Sequence, residues 1–390
     1  MGLVGGAHCI SHFCQLLLPP LFPWLKDAFQ VGYAELGFLM TLFFGVSCAV
    51  QTASGFVVDR LGPRPVLLGG LALLAAAALG FSVSTSYWMM ACFSVVAGVG
   101  NGVFHPVDYT LLNRLVSSPR LGHAYSVHGI TGSLGWAVAP IFLVSITLAA
   151  SWRTALVAAG VLVLVVWVLV WLHRDRLTLA PRVTPVPLVP AGAAKEGGLD
   201  FLRIPAVWMC FTFFLFSAMA LGVVQAFAPE AARQIHGMPL AWVATCLTTY
   251  MLASASGMAA GGFLAADPQR AERVVAASIA AAAAVSLLLA LTTLPALAVP
   301  LAFGLMGFSV GLSGPSRDML VKRSTPEHAT GRVYGVVYSG LDIGQAIAPL
   351  IFGVLMDQHA YRVVLVGLAV VQTALILTAV NVRRVRRTTG

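Results

Sequence analysis

Long apolar stretches recur along the whole chain, each close to the roughly 20 residues that a helix needs to cross the hydrocarbon core of a bilayer. Short polar, glycine- or proline-containing segments separate them. We count twelve such stretches, and the pattern predicts twelve membrane-spanning helices. Their predicted ranges are 7–25, 33–57, 66–84, 87–113, 122–148, 152–172, 204–229, 238–263, 272–292, 295–321, 331–356 and 361–382.

One polar, proline-rich segment divides these helices into two groups of six. It runs from His173 to Asp200 and is the only interval long enough to be a linker. The predicted organisation is a six-helix bundle over residues 1–173, a cytoplasmic linker over 174–202 and a second six-helix bundle over 203–390. The expected fold class is therefore an all-α membrane protein.

The two groups of helices repeat one another. At an offset of 209 residues, 102–140 aligns with 311–349 without a gap, and 11 of the 39 positions are identical. The identical positions include Gly, Pro, Arg and Tyr, which a shared apolar composition does not explain. Two similar bundles related by a pseudo-twofold axis can rock about a site held between them, so the repeat predicts alternating access.

The basic residues indicate how the chain is oriented in the membrane. Only 9% of the residues are charged, yet the net charge is +9. If the N-terminus is cytoplasmic, eighteen of the 23 Lys and Arg residues fall in cytoplasmic loops, the linker and the C-terminus, as the positive-inside rule expects. We interpret the charge as a topology signal, not as nucleic-acid binding. The expected location is the bacterial inner membrane, with both termini in the cytoplasm.

The loop between the second and third predicted helices contains an acid and two arginines. Residues 55–65 read GFVVDRLGPRP, which resembles the loop signature of the major facilitator superfamily. The resemblance implies that superfamily's fold of two six-helix bundles over essentially the whole chain. It also implies a cytoplasmic gate that consists of Asp59, Arg60, Arg64 and Arg332. In this gate, Asp59 is expected to pair with a basic residue such as Arg64 or Arg332.

Helices 4 and 5 carry a further resemblance. Residues 102–106 (GVFHP), 122–126 (GHAYS) and the stretch 132–140 are similar to bacterial fosmidomycin-resistance-type efflux proteins and their uncharacterised relatives. This implies a secondary active transporter, proton-coupled, that exports a small organic solute. Proton-coupled uptake of an organic acid or a metal chelate is the alternative, because import needs the same architecture. Metal transport and a receptor without transport also stay open.

Few polar side chains interrupt the apolar helices, and they follow helical spacing. An ionisable group in the membrane costs about 2.5–3.5 kcal/mol on insertion scales, so each needs a partner, water or a function. By resemblance to the superfamily, helices 1, 4, 7 and 10 line the central cavity, with 2, 5, 8 and 11 beside them. The predicted substrate or proton pathway consists of His12, Gln15, Asn101, His105, Asp108, His128, Arg317, Tyr338, Asp342 and Gln345.

Two roles are expected within this pathway. At least one of His105, Asp108 and Asp342 is expected to carry a proton, because imidazole and carboxyl groups can exchange protons under physiological conditions. The repeat aligns Asp108 with Arg317, so we expect these opposite charges to form a bridge across the cleft. The alternative is a local pair of Arg317 and Asp318 at the end of helix 10.

Histidines and cysteines cluster in the first helix, at His8, Cys9, His12 and Cys14. Four ligands spread around one short helix cannot converge on one ion, so we expect no metal site and no cofactor. The sequence lacks HExxH and a phosphate-binding glycine loop, so neither an enzyme nor an ATP-driven pump is predicted. The expected partners are a small-molecule substrate, a proton gradient and the lipid bilayer, and the expected state is a monomer.

Overall fold

The computed structural model describes residues 2–117, 120–179, 205–264, 271–324 and 330–388. For residues 122, 205, 206, 264, 271, 272, 316–324, 330–338 and 378–388 it describes the backbone only. The predicted linker, 174–202, lies largely outside these ranges. The α-helices are α1 (Gly2–Gln15), α2 (Phe22–Phe29), α3 (Tyr33–Leu61), α4 (Pro63–Val83), α5 (Tyr87–Asn101), α6 (Phe104–Leu115), α7 (Leu121–Ala149), α8 (Trp152–Leu172), α9 (Pro205–Ala226), α10 (Ala228–His236), α11 (Ala241–Leu264), α12 (Ala271–Leu291), α13 (Ala298–Ser324), α14 (Thr330–Asp357) and α15 (Tyr361–Thr388).

Most of these helices have the length and composition of membrane spans. Among the described residues, ten helical segments are long and apolar enough to cross a membrane, and a further apolar helix, Tyr361–Leu377, is shorter. The first predicted span is not among the ten, because its helix ends at Gln15 and resumes at Phe22. Pro19 and Pro20 have no backbone N–H to donate, so the helix cannot continue through them. The chain is an all-α, multi-pass membrane protein, as predicted.

A second break divides the predicted fourth span into α5 and α6, at Gly102. Pro106 causes it, because the proline ring has no N–H for the Gly102 carbonyl four residues earlier and would clash with it. The hydroxyl of Ser54 on α3 donates to that carbonyl at 3.3 Å, so the freed acceptor is satisfied. The break places His105 and Asp108 in the first turns of α6.

The internal repeat appears again in the way glycines pack. Gly98 on α5 lies against the backbone carbonyl of Phe43 on α3, where a methyl group would come within 2.6 Å of the oxygen. Its equivalent at the 209-residue offset, Gly307 on α13, lies against the carbonyl of Tyr250 on α11. Small residues at these positions allow the two helix backbones of each pair to approach closely. The two halves therefore use the same packing device at equivalent positions.

The two halves of the molecule pack along α3 with α14 and along α7 with α11. Where α3 begins, the carboxylate of Asp357 accepts hydrogen bonds from the backbone N–H groups of Tyr33 and Ala34, at 2.6 and 2.8 Å. Further along the same helix, Oγ1 of Thr41 donates to the carbonyl of Ala346 at 2.7 Å. We call the end of the molecule that carries Tyr33 and Asp357 the closed end, because the halves are held together there.

Candidate functional site

A compact group of buried ionisable side chains lies where α1, α6 and α7 meet. His8 and His12 come from α1, His105 and Asp108 from α6, and His128 from α7. The ring centroids of His8 and His128 are 3.5 Å apart, and those of His8 and His12 are 4.3 Å apart. The ring of His105 is 5.6 Å from that of His8. We call these five residues the histidine cluster.

Asp108 is fully buried, and histidines of its own half surround its carboxylate. Its Oδ2 lies 3.0 Å from Nδ1 of His8 and 3.9 Å from Nε2 of His128. Its Oδ1 has no hydrogen-bond partner among the described residues, and the same holds for both ring nitrogens of His12 and of His128. Buried polar atoms in folded proteins are nearly always paired. This concentration of unpaired atoms therefore marks a candidate functional site.

Glycines on α7 let the rings of the histidine cluster approach that helix. A methyl group at Gly132 would lie 2.8 Å from the ring of His12 and 2.9 Å from that of His8. One turn further along, Gly135 lies against the backbone of α1 at Cys9. A side chain at either position would push α1 away from α7, so these glycines set the depth at which the histidines sit.

Gln15 and Asn101, two further residues of the predicted pathway, form a chain of hydrogen bonds beside the cluster. Nε2 of Gln15 donates to Oδ1 of Asn101 at 3.2 Å, and Nδ2 of Asn101 donates to Oγ of Ser47 at 2.9 Å. The indole N–H of Trp136 donates to Oε1 of Gln15 at 2.9 Å, and the indole packs on His12 with ring centroids 4.3 Å apart. This chain joins α1, α3, α5 and α7 around the cluster.

The predicted residues of the second half lie at a different place. Nε2 of Gln51 on α3 donates to Oδ2 of Asp342 on α14 at 3.2 Å, so Asp342 faces the first half. Nε2 of Gln345, one turn later, donates to Oε1 of Gln225 on α9 at 3.2 Å. The predicted pathway therefore separates into the histidine cluster within the first half and Asp342 at the interface between the halves.

Three predicted residues have side chains outside the described part of the structure: Arg317, Tyr338 and Arg332. The bridge between Asp108 and Arg317 and the alternative pair of Arg317 with Asp318 both stay predictions for that reason.

Arg64 of the expected gate lies beside the segment that follows α8. Its Nη1 is 3.9 Å from the carboxylate of Asp175, and the expected pair of Asp59 with Arg64 or Arg332 stays a prediction. Asp59 and Arg60 are exposed. Asp59, Arg64 and Tyr109 all line a cavity of about 580 Å³ at the end of α3 opposite the closed end. Under the predicted topology, this cavity faces the cytoplasm.

The family model described as Major Facilitator Superfamily matches residues 4–349 and 272–389, which together cover nearly the whole chain. The chain belongs to the Major Facilitator Superfamily. The superfamily resemblance inferred from residues 55–65 is thus confirmed, and the chain is a multi-pass membrane protein of that superfamily.

Individual relatives of this Major Facilitator Superfamily protein have different functions. The membrane sensor protein UhpC of Salmonella typhimurium (strain LT2) is 29% identical over 168 residues, which are 43% of this chain and 37% of that protein. The fosmidomycin resistance protein of Escherichia coli (strain K12) is 26% identical over 149 residues, which are 36% of this chain and 34% of that protein. The chain thus spans well under half the length of these relatives.

Among solved structures, the nucleoside transporter NupG has the same architecture. It superposes with a TM-score of 0.76 over 97% of this chain and 99% of that chain, at 13% sequence identity. At this identity the likeness shows the fold alone. The all-α architecture of two six-helix bundles, with the Major Facilitator fold, is confirmed.

Several residues at the site of this superfamily member were not predicted as parts of it, among them His8, Gln51 and Trp136. His8 had a signal, since it lies four residues before His12 on the same helix face. Gln51 is a lone amide in an apolar helix, a weak signal. Trp136 had none, because an aromatic residue in an apolar helix is typical of ordinary packing.

Proposed function

We propose that this Major Facilitator Superfamily transporter is a proton-coupled secondary active transporter that moves a small organic solute across the bacterial inner membrane by alternating access. The observation that carries the proposal is the hydrogen bond between Asp342 on α14 and Gln51 on α3, which crosses the interface between the two halves. In this proposal the chain works as a monomer, with both termini in the cytoplasm.

Because Asp342 lies at the interface between the two halves, its protonation can affect how the halves move relative to each other. Alternating access requires α3 and α14 to separate first at one end and then at the other. A carboxylate between them resists or permits this movement according to its charge, because an ionised group in apolar surroundings is costly unless it is paired or hydrated. Protonated, Asp342 is neutral. Binding and release of one proton at Asp342 would therefore couple a proton gradient to the movement.

Asp342 is preferred over the other two expected proton carriers because of its place in the molecule. His105 and Asp108 lie within the first half, whereas Asp342 contacts the opposite half through Gln51. Cys48 lies one turn before Gln51 on the same helix, α3.

The relatives support more than one use of the same architecture. Similarity to the fosmidomycin resistance protein supports efflux of a small organic solute, which we prefer. Uptake of an organic acid or a metal chelate is the alternative, since import requires no different fold. Similarity to the sensor UhpC supports a receptor that binds without transport. Counterflow in proteoliposomes separates the classes, because a transporter exchanges labelled solute across the membrane and a receptor does not.

The substitution Asp342→Asn tests the coupling. A thermal-shift screen on detergent-purified protein, beginning with fosmidomycin and small carboxylates, first identifies a solute that binds, because a binder stabilises the folded state. In proteoliposomes, Asp342→Asn should keep counterflow of that solute but lose accumulation driven by an imposed pH gradient. The control Asp27→Asn, at an exposed carboxylate near the closed end, should keep both. Gradient-driven accumulation by Asp342→Asn at the wild-type rate would refute the proposal.

A further inference from the structure

Three residues of the histidine cluster bring ring nitrogens together from three different helices. His8 on α1, His105 on α6 and His128 on α7 each offer one ligand atom, and these atoms lie within 4.8 Å of one another. The Oδ2 atom of Asp108 is 3.0 Å from Nδ1 of His8 and 3.9 Å from Nε2 of His128. Three imidazoles that can ligate a metal ion therefore converge, with a buried carboxylate beside them.

We propose that His8, His105 and His128 form a binding site for a divalent transition-metal ion, with Asp108 as the carboxylate beside them and Zn²⁺ as the best fit. Imidazole nitrogen and carboxylate oxygen bind Zn²⁺ at about 2.0–2.2 Å in a tetrahedral set, which places neighbouring ligand atoms about 3.4 Å apart. The histidine nitrogens reach that spacing by shifts of about 1 Å, a movement within the range of side-chain rotation. This site is separate from the proposed proton carrier Asp342.

The polar atoms of the cluster need partners that the described residues do not supply. Both ring nitrogens of His128, Nδ1 of His105 and Oδ1 of Asp108 are buried without a hydrogen bond within the described ranges. A buried polar atom without a partner costs free energy. One metal ion satisfies several of these atoms at once, whereas a purely structural role for the histidines leaves them unsatisfied.

A divalent ion in apolar surroundings also needs negative charge beside it. Asp108 supplies that charge, since its carboxylate is fully buried in contact with the histidines. A carboxylate that accepts a hydrogen bond from a histidine is the usual neighbour of histidine-bound metal ions, because it orients the ring and makes the imidazole a stronger ligand. The pair of Asp108 and His8 has this arrangement.

The cavity at the end opposite the closed end lies close to the proposed ligands. Tyr109 lines this cavity of about 580 Å³. The ring centroid of Tyr109 is 5.6 Å from that of His128 and 6.1 Å from that of His105. Tyr109 is 42% exposed, whereas His128 is 5% exposed. Tyr109 thus connects the lining of the cavity with the rings of His105 and His128, and an ion that enters from the cavity would pass beside it.

The sequence argument excluded a metal site because it considered ligands on one helix. His8 and His12 cannot be joined by Cys9 and Cys14 around a single ion, and that argument stands. The chain fold changes the ligand set, because α6 and α7 bring His105 and His128 to the same side of α1 as His8.

Titration with Co²⁺ tests this site, because Co²⁺ takes the same nitrogen and oxygen ligands as Zn²⁺ and absorbs visible light. The full-length chain, without a polyhistidine tag, is purified in detergent, stripped with a chelator and titrated. We expect a saturable absorption that Zn²⁺ displaces. His128→Ala, His105→Asn and Asp108→Asn should each weaken Co²⁺ binding by about 10- to 100-fold.

Two histidine variants serve as controls. His359→Ala should bind Co²⁺ as the wild type does, because His359 is exposed and its ring is hydrogen-bonded to Tyr361. His12→Asn tests the effect of repacking the cluster, since His12 is buried there but is not one of the three converging ligands. It should keep the Co²⁺ absorption.

Size-exclusion chromatography and thermal unfolding establish which variants are folded. The proposal is overturned if the wild type shows no saturable absorption, or if a folded His128→Ala protein binds Co²⁺ as tightly as the wild type. Should His128→Ala not fold, His105→Asn and Asp108→Asn decide in the same way. This is a binding measurement without flux, so its failure is distinct from a failure of the Asp342 experiment.

Discussion

Glycine is the residue type on which the packing within each half depends most directly. On α7, a methyl group at Gly135 would collide with the backbone carbonyl of Cys9 on α1. Gly344, its equivalent in the repeat, meets the backbone of α9 at Leu215 in the same way. Gly129, on the same helix as Gly135, has open space around it instead. Sequence identity in the repeat therefore reflects a packing requirement at Gly135 and Gly344.

The substitution Gly135→Ala should destabilise the protein by about 1–3 kcal/mol, because the added methyl group overpacks the contact between α1 and α7. Gly129→Ala is the matched control and should be neutral or stabilising by up to about 1 kcal/mol, because alanine is the better helix former. Thermal unfolding of the purified protein in detergent measures both. Equal melting temperatures for the two variants would contradict close packing at Gly135.

At the scale of elements, the start of α3 depends on the other half of the molecule. The first turn of a helix leaves backbone N–H groups without internal partners. Asp357, at the end of α14, accepts hydrogen bonds from two of them, at Tyr33 and Ala34. A methyl group at Gly32 would overlap that carboxylate, at 2.6 Å from Oδ2. These hydrogen bonds can therefore form only while α3 and α14 are in contact at the closed end.

The substitution Asp357→Ala should shift the equilibrium towards opening of the closed end. Loss of a helix cap costs about 1 kcal/mol, which is about a fivefold change in the ratio of closed to open molecules. Spin labels at Gln30→Cys and Gln358→Cys, in a background without the native cysteines, report the distance across this end.

The distance distribution between the labels should gain a longer component in Asp357→Ala. Asp27→Ala removes an exposed carboxylate near the same end and should leave the distribution unchanged. An identical distribution with and without Asp357 would show that the cap does not hold the halves together.

At the scale of the whole molecule, one end is closed, and a cavity lined by residues of the first half lies at the other end. Under the predicted topology, that other end faces the cytoplasm, the side from which the proposed efflux takes its solute. Production of the chain in a susceptible bacterium should then raise, several-fold over a vector control, the minimal inhibitory concentration of a toxic solute that the thermal-shift screen identifies. Asp342→Asn should abolish the increase. Unchanged resistance together with uptake of a labelled carboxylate would contradict efflux and favour import.

Most of the fold was predictable because lipid imposes a simple rule on sequence. Each span must be apolar and helical over a fixed length, so the helices, the two halves and the superfamily could be inferred from the chain alone. The interruptions were not predicted. Hydropathy predicted one continuous span across each of Pro19 and Pro106. It does not take into account that a proline lacks the backbone N–H that a continuous helix needs.

The candidate site was predictable in its residues but not in its partners. The sequence alone determined that polar groups such as His105, Asp108 and Asp342 lie inside apolar helices, where each is costly unless it has a partner, water or a function. Only the tertiary structure decided that Asp108 meets His8, 100 positions away in the chain, and that Asp342 meets Gln51 on the other half. Helical periodicity relates side chains on one helix and contains no information on which helices pack together. That arrangement depends on close glycine contacts and proline breaks distributed over the whole chain.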